Sequence, residues 1–155
     1  MTIETHKHYT ETIYYEIEQT AKFCKTLGSQ IFEKFELKIS SDEFYILDTL
    51  LSHPEICQRD LAKLILRDRA NTGRLLNSLE EKGFIKRFVD LKNNRLVKKM
   101  EVTESGEKIW NECILKIKPI FTACMDKFPQ EDIEILRSAL SKFRHNLEEI
   151  VDLQI

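Results

Sequence analysis

The sequence is poor in the residues that break helices. Its 155 residues include four glycines and three prolines, too few for a fold built on many turns, so long helices are expected. It has no unbroken apolar run of roughly 18–20 residues, so no transmembrane helix is expected. The opening "MTIETHKHYTET" has no apolar core of a leader, so a cytoplasmic location is expected. Four cysteines (Cys24, Cys57, Cys113, Cys124) form no C-x-x-C pair, and in the cytoplasm they should be reduced thiols rather than a disulfide framework. His6 and His8 make an H-x-H pair, but His53 and His145 stand alone, so no dedicated metal site is expected. No nucleophile–base pair and no phosphate loop is present either. The sequence therefore argues against an enzyme and for no cofactor.

What it does have is an uneven charge distribution. Residues 57–100 carry 12 Lys+Arg against 5 Asp+Glu, a net of +7, while the remainder carries 12 against 21, a net of −9. A basic middle in an acidic frame implies one surface that faces a polyanion.

Apolar periodicity supplies the elements. Ile13, Ile17, Ala21, Cys24, Leu27, Ile31 and Phe35 recur at steps of three and four, one stripe of a long helix over residues 10–36. Ser40 or Ser41 can cap a second, mostly apolar helix that His53-Pro54 ends. A short helix is expected over 57–66, then a turn at Leu66-Arg67 and a helix over 69–82 capped by Asp68 and closed by Gly83. "FIKRFVD" and "RLVKKMEVT" read as two strands joined by "LKNN", with Asn93-Asn94 as the turn. Thr103 can cap a fifth helix, and Pro129 can open a sixth, whose Ile133, Leu136, Leu140, Phe143, Leu147 and Ile150 suit helix–helix packing.

A short helix, a tight turn, a second helix and a hairpin together describe a winged helix-turn-helix within a mainly α fold with a small β-wing. The second helix turns Thr72, Leu75, Leu76 and Leu79 inward. Its opposite side carries Ala70, Gly73, Arg74, Asn77 and Ser78, flanked by Arg69 and Asn71. Acidic residues enter only at Glu80 and Glu81, whereas a merely solvated face would mix Glu with Lys. Arginine can grip guanine and asparagine adenine through two hydrogen bonds. Arg74, Asn71, Asn77 and Ala70 are thus candidates for base edges; Gln58, Arg69, Lys92 and Arg95 are candidates for phosphates or the minor groove. Gly73 lowers helix propensity by roughly 1 kcal/mol relative to alanine, and its missing side chain would let the helix approach DNA closely. The hairpin adds Lys86, Arg87, Lys92, Arg95, Lys98 and Lys99, although charge on a hairpin also serves to protect a sheet edge.

The runs "TGRLLNSLEEKGFIKR" and "DLKNNRLVKKMEVTESGEKI" resemble the multiple-antibiotic-resistance regulator (MarR) family. The resemblance follows most of residues 10–150 in element order and is most specific over 57–110. It implies a dimeric transcription regulator whose first, fifth and sixth helices form the dimer interface. The implied layout is an N-terminal arm and dimerisation helix over 1–40, a winged helix-turn-helix over 41–103, and C-terminal dimerisation helices over 104–155. The implied partners are double-stranded DNA on a pseudo-palindromic operator, a second copy of the chain, and a small-molecule effector, with no membrane; repression by promoter occlusion is the family default. The wing departs from the family: "NNR" keeps only Arg95 of the usual charges, Asn93 stands where an acidic brace is common, and Asp90 is the alternative brace. Thr72 and Gly73 replace a β-branched aliphatic and a Ser or Thr, so base preference does not transfer. The alternative is a winged-helix module for protein interaction or RNA binding.

Family resemblance also implies sensing of phenolic ligands, oxidants or metals. Tyr14, Tyr45, Phe44 and Trp110 are candidates to line a ligand pocket, with aromatic core packing as the competing reading. Cys24 is a candidate redox sensor, against its reading as a small core residue. Cys113 and Cys124 lie three helical turns apart, about 16 Å, too far for a disulfide within one chain. Packing is expected for both, or a bridge across the dimer. Cys57 sits at a helix start, where a thiol pKa can fall, or is an ordinary capping-region residue.

Overall fold

The computed structural model describes residues 8–65 and 69–150. His6 of the H-x-H pair, the Leu66-Arg67 turn and the proposed Asp68 cap lie outside the described residues. Six helices and one hairpin follow in order: α1 (Ile13–Lys34), α2 (Ser41–Ser52), α3 (Gln58–Leu64), α4 (Arg69–Glu81), β1 (Ile85–Lys92), β2 (Arg95–Val102), α5 (Glu104–Met125) and α6 (Gln130–Ile150). This is a mainly α fold with a two-stranded antiparallel wing. The chain divides into two compact units, Met1–Ser41 and Asp42–Ile155.

In the first unit, α1 begins at the first residue of its apolar stripe, three residues after the expected start at residue 10. A single 3-10 turn at Tyr9–Glu11 precedes it. Thr12 is extended at φ −95° and accepts from the Tyr15 backbone N–H, so it is the N-cap. The stripe is largely uncovered: Ile13, Cys24 and Leu27 are exposed, and burial begins at Gly28, Ile31 and Phe32.

In the second unit, the core is drawn from every element but α6. Ile46, Leu47 and Leu50 of α2, Leu61 and Ala62 of α3, Thr72, Leu75, Leu76 and Leu79 of α4, Ile85 and Met100 of the wing, and Ile109 and Cys113 of α5 are all buried. Each fully buried leucine contributes about 2 kcal/mol of hydrophobic stabilisation. Gly83 (φ +76°) ends α4: its N–H reaches the Glu80 carbonyl and the Phe84 N–H reaches that of Leu79. That pair of bonds is a Schellman motif, satisfying carbonyls that the helix end leaves open.

The hairpin is longer than its sequence pattern suggests. Residues 91 and 92 join β1, so Lys92 pairs with Arg95 and the loop is Asn93-Asn94 alone. Both asparagines have positive φ (51° and 60°), as a type I′ turn demands. The short helix is also trimmed to α3, because extended Cys57 forms its N-cap and bridges to Lys99 of β2. Pro129 stands just before α6, where its carbonyl accepts from Ile133. Among the described residues α6 buries nothing, and Ile135, Leu136 and Ile150 are more than half exposed. No helix among the described residues is long and apolar enough to cross a membrane.

Candidate nucleic-acid interface

The orientation of α4 is set by its buried side. Thr72, Leu76 and Leu79 are fully enclosed, so Arg69, Ala70, Arg74 and Asn77 are turned to solvent. A polar lock reinforces the apolar one. Glu43 of α2 is buried, and its carboxylate accepts from Lys82 Nζ at 2.8 Å on both oxygens and from the Ser78 hydroxyl at 2.6 Å. Ser78 therefore leaves the outward face on which its position in the helix placed it: its hydroxyl is spent on the inner carboxylate. A buried carboxylate needs such partners, since its charge is otherwise costly to desolvate.

On the outward face, Arg74 donates to Asn71 Oδ1 at 2.8 Å. Gly73 is half-buried and takes ordinary helical backbone; a Cβ there would meet Gln58 Nε2 at 3.7 Å, plain van der Waals contact. Nothing inside the protein therefore demands a glycine at this position. Gln58 Oε1 is buried without a hydrogen-bond partner, which leaves the carboxamide of α3's first residue underused.

The wing's six cations divide into two groups. Arg87 is clamped to Glu80, with Nε and Nη2 at 3.1 and 3.0 Å from the two carboxylate oxygens. Lys99 lies 2.7 Å from Glu55 and 2.9 Å from Asp90. Lys92 pairs with Asp60 at 3.1 Å. Asp90 thus braces Lys99 and not Arg95. Lys86, Arg95 and Lys98 have no ion pair among the described residues. Arg95 and Lys98 join Arg59 and Arg69 around a groove of about 340 Å3 that Gln58 also lines. Four cations in one groove, with no ion pair among the described residues, repel one another until an anion arrives. Arg59 escaped the sequence reading; its only signal is the step from Gln58 at the start of α3.

The ion pairs shift the carboxylates. Hydrogen bonding from Arg87 holds Glu80 below the usual range. Asp60 is lowered first by the Cys57 thiol, which donates at 3.1 Å, then by Lys92. Asp90 is lowered mainly by Lys99, and Lys99 is raised in turn, chiefly by Glu55.

The sensing candidates are placed as follows. Tyr14, in the first unit, and Tyr45, in the second, are about half exposed. Trp110 donates its indole N–H to Asp48 at 3.0 Å, a structural bond linking α5 to α2. Cys24 and Cys124 are exposed, so neither is packed within the chain; Cys57 and Cys113 are buried. Burial pushes the Cys113 thiol up to about 11, which makes it inert at neutral pH.

The chain is similar in sequence and fold to known proteins. Residues 39–97 match the MarR family. An HTH-type transcriptional regulator of Bacillus subtilis, YybA, is 27% identical over 113 residues, covering 73% of this chain and 75% of that protein. MepR of S. aureus, solved as a complex with DNA, superposes with a TM-score of 0.74 at 25% identity, covering 90% of this chain and 99% of MepR. The transcriptional regulator SlyA gives 0.74 at 26%, covering 88% and 94%. Residues 39–97 thus match the MarR family, and the chain is similar over most of its length to transcription regulators.

Proposed function

We propose that the protein is a sequence-specific, DNA-binding transcriptional regulator that acts in the cytoplasm as a homodimer. It would bind a pseudo-palindromic operator, repress by occluding a promoter, and release DNA in response to an effector. The observation that carries this reading is the face of α4. Arg69, Asn71, Arg74 and Asn77 present hydrogen-bond donors with no carboxylate before Glu80, beside a groove lined by four cations that have no ion pair among the described residues. Side chains on α4 would read base edges in the major groove, while Arg59, Arg69, Arg95 and Lys98 would neutralise phosphates or enter the minor groove. Lys92, already paired with Asp60, contributes less than Arg95. MepR, which shares the fold, has been solved with DNA.

The apolar stripes of α1 and α6 support the dimer, since they leave Ile13, Leu27, Leu136 and Ile150 exposed. A stripe of that length left in water is unfavourable, and a second copy of the chain would cover it. A domain layout of 1–40, 41–103 and 104–155 belongs to the same proposal.

Selection from random duplexes tests the reading. Two inverted half-sites should be enriched, with centres about one helical turn (roughly 34 Å) apart. Absence of any enriched motif would reject DNA recognition in favour of a protein-interaction module.

A further inference from the structure

Asn77 and Arg87 come from different elements, α4 and β1, yet Arg87 Nη2 donates to Asn77 Oδ1 at 2.6 Å. A guanidinium has only donors, so the carboxamide atom facing it must be the oxygen. The amide orientation is thereby fixed by chemistry. Arg87 is held as well: Glu80, one turn beyond Asn77 on α4, accepts from its Nε, its Nη2 and its backbone N–H at 3.0–3.1 Å. The carboxylate holds the guanidinium, and the guanidinium holds the amide.

We propose that Arg87 is a positioning residue that makes Asn77 a donor to keto bases, guanine or thymine, instead of an adenine reader. This rests on the DNA-binding function proposed above. An asparagine reads adenine by accepting from the N6 amino group and donating to N7. Here one of the oxygen's two lone pairs is already taken by a cation, whose charge and adjacent N–H groups oppose the approach of a second donor such as an adenine amino group. Asn77 is exposed, and its Nδ2 can donate. Guanine offers O6 and N7 as acceptors, thymine offers O4, and cytosine offers only an amino donor. The surroundings have the same character: Asn77, Arg87 and Lys98 line a groove of about 330 Å3, and all three bring donors to it. The same pairing recurs on this face, where Arg74 engages the Asn71 oxygen.

The test is a panel of duplexes carrying each base pair in turn at every position of the selected half-site. The position that Asn77→Ala ceases to discriminate is the one Asn77 reads. Wild type should prefer guanine or thymine there over adenine and cytosine by about tenfold. Arg87→Met should move that ranking toward adenine or flatten it, with the other positions unchanged. Arg87→Lys, which retains a donor, should keep the keto preference. Wild-type preference for adenine at that position would overturn the proposal. So would an unchanged ranking in Arg87→Met, or an equal loss of affinity at every position, which would assign Arg87 to structure alone. Specific binding with one of those results defeats this inference only; failure to select any motif defeats the DNA-binding reading as well.

Discussion

The Thr103 hydroxyl donates to the Gly83 carbonyl at 2.6 Å and accepts from the Gly106 N–H at 3.1 Å. One side chain thus joins the end of α4 to the start of α5 and closes the two ends of the wing on each other. The Thr103 N–H adds a bond to the Phe84 carbonyl at 3.0 Å.

This closure depends on Gly106. A Cβ there would overlap the Phe84 carbonyl oxygen and come within 2.7 Å of Val102 Cγ1. Backbone cannot move aside cheaply, so Gly106→Ala should destabilise the protein by about 3 kcal/mol or lower its yield of folded protein. Urea denaturation measures it; a stability change within about 0.5 kcal/mol would show that the junction is loose.

Gly73 behaves oppositely. Its helical backbone and open neighbourhood accept a methyl group, so Gly73→Ala should stabilise the free protein by about 0.5–1 kcal/mol. If the bare backbone serves close approach to DNA, affinity for the selected duplex should fall in the same variant. Denaturation and fluorescence anisotropy on one preparation separate the two effects; unchanged affinity would leave Gly73 without a role in binding.

Asp60, Glu80 and Asp90 each have a lowered pKa from hydrogen bonds and ion pairs that tie the wing to α3, α4 and itself. Groups depressed in the folded state add stability that is fully present above the ordinary carboxylate range and lost as pH falls through their lower folded values. Stability should therefore be flat down to pH about 5 and fall below about 4. An Asp60→Asn, Glu80→Gln double variant should fall less steeply on the same thermal-melt series. An identical slope would show that these pairs do not couple to folding.

The elements were legible because their signals are local. Thr103 caps α5, Gly83 closes α4 with a left-handed residue, and Asn93-Asn94 turns the hairpin, each through chemistry within a few positions. The leucine spacing of α4 also identified its buried side. What spacing could not reveal is which charges meet across the fold. Glu43 lies 39 residues from Lys82, Asp60 32 residues from Lys92, and Glu55 44 from Lys99. These pairings decide that Lys92, Arg87 and Lys99 are spent internally, while Arg95, Lys98 and the overlooked Arg59 have no ion pair among the described residues. Ser78 shows the same limit: its helical position points outward, but a buried carboxylate from α2 captures it.

The central claim is that α4 reads bases while the wing and groove hold the backbone. Anisotropy titrations of the selected duplex and a scrambled one, at several salt concentrations, test it in wild type, Arg74→Ala and Arg95→Ala. Arg74→Ala should lose about 1–3 kcal/mol on the selected duplex and much of the discrimination against the scrambled one. Arg95→Ala should weaken both duplexes alike and lower the salt slope by about 1. Unchanged discrimination in Arg74→Ala, with an unchanged salt slope in Arg95→Ala, would contradict the account.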